Sequence, residues 1–240
     1  MSKVVVIDDE PAYRAEWSSA VAAGVEIVSI DRPRRLEEID DLAAITHAVV
    51  DLSFGRWNLD GSERVPELET GVDAILTLRE AAPSVEIVVV TRLDTAILTE
   101  MAIAIRQTWP NIRFLHKEDP RVGFQLRAFA CGEHYQDNAE IALDLLAIEP
   151  IEFASVRTAI AAVSNSHQLT RTAQALASYS SEPNAAEVGS SLGWSPRTVT
   201  KRVSELRDCL RVAALPLPER EGFGGIWLWS FARGPMLRQL

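Results

Sequence analysis

Cysteine is scarce. The chain holds two, Cys131 and Cys209, far apart and without metal-ligand spacing. Neither metal ligation nor a disulfide is suggested by that spacing, and reduced, buried thiols are the expectation. No apolar run reaches the roughly 20 residues that span a bilayer. Met1-Ser2-Lys3 leads straight into an apolar strand with no signal-peptide pattern, so a cytoplasmic location is expected. Histidine is sparse as well. His47 precedes a strand, His116 lies inside one, and His134 and His167 sit in helical stretches with no visible partner. Surface or core roles suit all four better than catalysis.

Positive charge is short in one part of the chain. Residues 1–150 carry 14 Lys and Arg against 27 Asp and Glu, a net of −13, whereas residues 151–240 carry 10 against 7, a net of +3. Different partners for the two parts follow from this contrast. The small basic excess permits nucleic-acid binding without arguing for it. With 240 residues, 47% of them hydrophobic and 24% charged, the chain can bury two cores and is not a disordered polypeptide.

What is present begins with Ala48-Val49-Val50-Asp51, an apolar run that ends in a carboxylate. Such a run reads as a strand buried on both faces. Three other runs end in comparable chemistry: Val4–Ile7 in Asp8-Asp9-Glu10, Val85–Val90 in Thr91, and Ile112–Leu115 near Lys117. Helical patterns alternate with the strands at Pro11–Ala23, 34–45, Gly71–Ala82, Thr95–Thr108 and Pro120–Ala130, with a further strand at Val25–Ile30. Five βα units predict an α/β fold, a doubly wound five-stranded parallel sheet. Parallel strands bring all four ends to one edge, where open α/β sheets bind ligands.

The cluster has definite chemistry. Asp8, Asp9 and Asp51 suit a hard divalent cation, Mg²⁺ above all. With repulsion neutralised, the Asp51 carboxylate is able to attack a phosphoryl donor. Lys117 supplies a point charge and Thr91 a hydroxyl for phosphoryl oxygens. Set against this is the plainer reading of capping carboxylates on an unrelated sheet.

These residues resemble the response-regulator receiver domain over about residues 1–131. Ile7-Asp8-Asp9-Glu10-Pro11 is similar to its acidic pair, Val50-Asp51 to its phosphoacceptor, Val90-Thr91 to its switch hydroxyl, and Phe114-Leu115-His116-Lys117 to its aromatic residue three before the Lys. The resemblance implies phosphorylation of Asp51 by a partner histidine kinase. It also implies a coupled movement of Thr91 toward the phosphoryl group and of Phe114 inward. Three features depart from the family. Arg92 stands where a small residue is usual, Glu118 where Pro is usual, and the loop Phe54–Thr70, with Gly55, Trp57, Gly61 and Pro66, is about twice the customary length.

Beyond residue 131, Asn138–Ile148 and Ile151–Val163 read as two amphipathic helices, separated by Glu149-Pro150. They suit packing within the chain or against a second copy. A helix Gln168–Tyr179 follows. Asn184 caps Ala185–Leu192, Gly193 stops it, and Ser195 caps a helix that starts at Pro196 and runs to Leu210. The second helix places Val199, Val203, Leu206 and Leu210 in one stripe, with Arg197 and Lys201 opposite, Thr198 and Thr200 on the flanks and Arg202 beside the stripe. The run from Val188 through Gly193-Trp194-Ser195 to Val199 resembles the helix-turn-helix of winged-helix regulators. That resemblance makes Pro196–Leu210 a recognition helix and Arg197, Thr198, Thr200, Lys201 and Arg202 the DNA-binding set. Ala213–Leu217 and Ile226–Phe231, joined across Gly222–Gly225, read as the two strands of a wing, with Trp227, Trp229 and Phe231 on its core face.

The expectation is thus a receiver over 1–131, a helical linker over 132–164 and a mostly helical winged helix-turn-helix domain over 165–240. Function would be transcriptional regulation controlled by phosphorylation, with Mg²⁺ as cofactor, a histidine kinase and DNA as partners, and a homodimer at least when phosphorylated. It would be no enzyme. An aspartyl-phosphate phosphatase wants a second Asp two residues after the nucleophile, and Ser53 stands there. Two rivals use the same residues: a DNA-binding pseudo-receiver that phosphate does not switch, and an adaptor in which both parts bind proteins.

Overall fold

The computed structural model describes residues 2–21, 24–54, 69–92, 95–133, 161–179, 181–213, 217 and 222–240. They fall into two compact units, one drawn from Met1–Arg56, Glu69–Leu98 and Asn111–Ile148, the other from Trp57–Leu68, Thr99–Pro110 and Glu149–Leu240. The long loop after Phe54, the helix expected at Asn138–Ile148, most of that at Ile151–Val163, and His134 lie outside the described residues.

In the first unit, strands β1 (Lys3–Ile7), β2 (Glu26–Ile30), β3 (His47–Val50), β4 (Glu86–Thr91) and β5 (Arg113–His116) form one sheet in the order β2-β1-β3-β4-β5. Every pairing is parallel, as the βα alternation requires. The helices are α1 (Pro11–Val21), α2 (Gly71–Ala81), α3 (Ala96–Thr108) and α4 (Val122–Ala130), and α3 from Thr99 onward, with the two residues after it, groups with the second unit. Val4, Val6, Val49, Val88, Val90 and Leu115 alternate onto one sheet face. There they bury Trp17 and Val21 of α1 and Val122, Leu126 and Phe129 of α4. Strands β1, β3 and β4 are buried on both faces, which explains why they read as continuous apolar runs, whereas the edge strand β2 is buried only at Ile30.

Residues 34–45 do not form the expected α-helix. Pro33–Glu38 and Leu42–Ala44 are two short 3-10 segments. Only Leu36 and Ile45 of the stretch offer the core a deeply buried apolar side chain, too little for an α-helical stripe. The entry to α2 is set by a close approach. A Cβ on Gly71 would stand 2.2 Å from the Asp51 carbonyl oxygen, so the helix starts against the backbone of the site only because that residue is glycine. Ser53 and Thr70 close the intervening loop through a β-bridge.

The second unit contains α5 (His167–Ala177), α6 (Ala185–Leu192), α7 (Pro196–Val212), α8 (Phe223–Ala232) and α9 (Gly234–Arg238). Caps fix the boundaries. Ser166 Oγ accepts from the Leu169 amide, Asn184 from those of Ala186 and Glu187, and Ser195 from that of Thr198. Gly193, at φ 71°, turns the chain between α6 and α7. Val199, Val203, Leu206 and Leu210 are buried in one stripe, as the spacing predicts.

The wing strand at Ile226–Phe231 is overturned: Phe223–Ala232 is a helix, and Gly224 to Ala232 are buried on every side. An apolar run enclosed all round carries no period to separate strand from buried helix, and the alternating Trp227, Trp229 and Phe231 suggested the wrong one. In the helix Trp227 and Phe231 are one turn apart, with ring centroids 5.9 Å apart. Its partner strand at 213–217 lies mostly outside the described residues, and Ala213 itself ends α7 in a turn. The thiols correct another expectation, because Cys131 at the end of α4 is exposed and Cys209 is half-buried.

Candidate functional site

Sheet register assembles the first site. Ile7 pairs with both Ile30 and Val50, Val50 with Val89, and Thr91 with His116. The ladder runs one residue beyond the strands: Asp8 N–H donates to Ile30 O at 3.3 Å, Asp51 N–H to Ile7 O at 2.9 Å, and Lys117 N–H to Thr91 O at 3.1 Å. The backbone therefore holds Asp8, Asp51 and Lys117 as firmly as the sheet itself, at the carboxyl edge where such sheets bind ligands.

The Lys117 ammonium lies 2.9 Å from Asp51 Oδ2 and 2.9 Å from Asp8 Oδ2. The other carboxylate oxygens accept from backbone: Asp51 Oδ1 from Leu52 N–H at 2.8 Å and Asp8 Oδ1 from Glu10 N–H at 2.9 Å. Trp17 Nε1–H donates to Asp8 Oδ2 at 3.3 Å, and Arg14 Nη1 donates to the Asp8 carbonyl at 2.6 Å, tying α1 to the acidic turn. Burial pushes the Asp51 carboxyl up to about 6. Lys117 opposes that shift, and the neighbouring Asp8 adds to it. For Lys117, burial works against the charge, but Asp51 and Asp8 outweigh it and raise the ammonium's pKa.

Carboxylate oxygens of Asp8, Asp9 and Asp51 lie within 4.8 Å of one another. Hard oxygen donors in this number fit Mg²⁺, which keeps several waters and asks few ligands of a protein. Proton and cation compete for Asp51. Below about pH 6 its carboxyl holds the proton, so Mg²⁺ affinity is expected to weaken about tenfold per pH unit there and to level off above it. Mg²⁺ titrations followed by tryptophan fluorescence, with Trp17 beside Asp8 as reporter, check the slope. A pH-independent affinity between 5 and 7 would remove Asp51 from the metal site.

Thr91 is buried, and its hydroxyl donates to the Arg92 carbonyl at 3.3 Å. Phe114 is buried on the same sheet face as Thr91. The two departures beside the site are neighbours in space, Arg92 Nε lying 3.6 Å from Glu118 Oε1.

The second candidate site is the α6–α7 turn. Gly189 is needed there, because a Cβ would stand 2.6 Å from the Trp194 carbonyl oxygen. Trp194 N–H in turn donates to Gly189 O at 2.9 Å. Arg197, Thr200 and Lys201 are exposed, and Thr198 and Arg202 half-buried. The hydroxyls are engaged locally, Thr198 with Ser195 Oγ at 2.9 Å and Thr200 with the Pro196 carbonyl at 3.0 Å. Lys201 and Arg202 share Glu205, whereas Arg197 makes no ion pair among the described residues. Sequence reasoning missed Arg171 of α5, whose guanidinium stands 5.2 Å from the Trp194 ring centroid at the turn. It also missed Tyr13 and Trp17 around Lys117. An aromatic pair at i and i+4 beside Asp8-Asp9 was the signal available for these two.

No family model and no curated protein matches the chain. Among solved structures it is similar to RcsB from Salmonella enterica serovar Typhimurium bound to a promoter in the presence of phosphomimetic BeF₃⁻, at 13% identity over 96% of this chain and 98% of that one, with a TM-score of 0.44. It is also similar to a response regulator receiver domain protein from Clostridium thermocellum, at 18% identity over 61% of this chain and 99% of that one, TM-score 0.39. A third similarity is to the receiver domain of a putative LuxO repressor protein from Vibrio parahaemolyticus, at 13% identity over 62% and 98%, TM-score 0.41. Among the described residues, no helix is long and apolar enough to cross a membrane.

Proposed function

We propose that this chain is a response regulator that accepts a phosphoryl group on Asp51 and binds DNA through α7. One observation carries the reading: a buried ammonium, Lys117, placed 2.9 Å from each of two buried carboxylates at the carboxyl edge of a parallel sheet. Such an arrangement is costly as a mere structural device and is suited to receiving an anion. The Asp51 carboxylate attacks phosphorus. A bond forms from its oxygen to phosphorus as the bond to the donor's imidazole nitrogen breaks, and the imidazole leaves with that electron pair. Lys117 pairs with an equatorial phosphoryl oxygen, and Thr91 turns its hydroxyl from the Arg92 carbonyl to another. Mg²⁺ held by Asp8, Asp9 and Asp51 supplies further charge neutralisation when bound. The proposed donor is a histidine kinase, and the phosphorylated chain is proposed to act as a homodimer.

The DNA half of the reading rests on the capped turn and the cations opposite the buried stripe. With Mg²⁺, beryllofluoride is expected to change the affinity of the full chain for its operator, measured by fluorescence anisotropy. No change would favour the pseudo-receiver rival. Arg197, which makes no ion pair among the described residues, is expected to matter most on α7: Arg197→Ala should cost about 1–3 kcal/mol of specific binding. Glu205→Gln releases Lys201 and Arg202 for phosphates, so binding should tighten and the salt slope steepen by about one unit. Wild-type affinity and slope in both variants would turn α7 toward a protein partner.

A further inference from the structure

Whatever phosphorylates Asp51 must first reach it. Asp51 keeps 4% of its surface, Lys117 6% and Thr91 2%, so the three groups that would touch a phosphoryl group are closed off. Among the described residues, Tyr13, Arg92 and Glu118 meet there, beside Glu10, whose Oε1 lies 4.0 Å from the Lys117 ammonium. Tyr13 stands on α1, Arg92 directly follows Thr91, and Glu118 directly follows Lys117. The Tyr13 ring lies over the Lys117 ammonium, 4.6 Å from Nζ to centroid, and stacks on Trp17 at 5.3 Å and 12°. Lys117 is thus enclosed by two carboxylates and an aromatic face. Arg92 fastens this cover. Its Nη2 donates to Tyr13 Oη at 2.9 Å, its guanidinium carbon is 5.7 Å from the Tyr13 centroid, and its Nε is 3.6 Å from Glu118 Oε1. One guanidinium therefore joins three rims of the site: the first residues after β4, helix α1, and the segment after β5.

We propose that Tyr13 and Arg92 form a gate over Asp51 and that the arriving phosphoryl group opens it. The proposal rests on the phosphoacceptor reading. Arg92 has weak holdings in the closed state, a neutral phenol and an exposed carboxylate whose attraction is screened by water. A phosphoryl group offers the guanidinium two anionic oxygens in the fork geometry that it matches best. Exchange of Tyr13 and Glu118 for those oxygens is downhill. It draws Arg92 off the entrance and sets it on the product, so one residue slows entry and then prolongs the aspartyl phosphate.

Two variants separate these effects. Tyr13→Phe keeps the ring over Lys117 and removes only the hydroxyl that Arg92 grips. In the full chain with Mg²⁺ and acetyl phosphate as donor, it is expected to take label about three to ten times faster than wild type, with an unchanged lifetime of the labelled species. Arg92→Ala is expected to label as fast as Tyr13→Phe and to lose the label roughly tenfold faster than wild type, because the product has lost its cation. A wild type that labels, with a Tyr13→Phe rate equal to it, overturns the gate and leaves the phosphoacceptor reading standing. An unchanged lifetime in Arg92→Ala overturns the exchange onto the product. A wild type that takes no label overturns gate and reading together.

Discussion

Asp51→Asn should give a chain that keeps its fold and takes no phosphoryl label. The side chain loses its nucleophilic oxygen and nothing of its volume. The backbone bonds that hold residue 51, from its own N–H to Ile7 O and from Leu52 N–H to its Oδ1, survive in an amide whose carbonyl oxygen accepts in the same place. Stability should not fall at neutral pH. The Asp51 carboxyl titrates at about 6 in the folded chain, above its ordinary value of 3.8, chiefly because it is buried. An acid whose folded pKa is raised favours the folded state below its unfolded pKa, and that contribution disappears as pH rises to the folded value. The ionised group thus costs stability at pH 7.5, and Asn removes the cost. Labelling by acetyl phosphate should drop from measurable to background, while the melting temperature at pH 7.5 equals or exceeds that of wild type. Label that persists in Asp51→Asn would end the receiver reading, whatever the fold retains.

Arg233→Ala should destabilise the second unit by about 3–5 kcal/mol. Arg233 is fully buried, and its Nη1 donates to Glu100 Oε1 at 2.8 Å and its Nη2 to Gln107 Oε1 at 2.6 Å. The guanidinium also lies 4.9 Å from the Trp229 centroid. Glu100 and Gln107 are buried residues of the 99–110 segment that belongs to the same unit. Truncating the arginine leaves the buried Glu100 carboxylate without its cation, and the uncompensated charge is the main cost. A double change, Arg233→Met with Glu100→Gln, removes both charges and should recover most of the loss. Domains are commonly stable by only about 5–15 kcal/mol, so the single variant should show an early transition in urea. A loss below about 1 kcal/mol would mean that the pair is hydrated in solution. A double variant as unstable as the single would mean that packing of the arginine, not charge, is what matters.

Much of both sites was legible in local patterns. Four apolar runs ending in Asp8, Asp51, Thr91 and near Lys117 required a parallel sheet with those residues on one edge, because βα alternation and connection handedness leave few other solutions. Ser195, Pro196 and Gly193 announced a turn between two helices, because caps and positive-φ positions are chemistry of adjacent residues. The spacing of Val199, Val203, Leu206 and Leu210 fixed the buried face of α7, and so the exposed one.

Other features belong to the tertiary structure. Phe223–Ala232 is a helix whose residues Gly224–Ala232 are enclosed on all sides, and enclosure leaves no period for a sequence to display. That Lys117 bridges two carboxylates is also a matter of packing. Tyr13 and Arg92 are 79 positions apart, and Arg233 and Glu100 are 133 apart. Windows of a few residues register period and capping, which follow from backbone geometry. Which distant side chains meet depends on how whole faces pack, and on which polar groups that packing leaves in need of a partner.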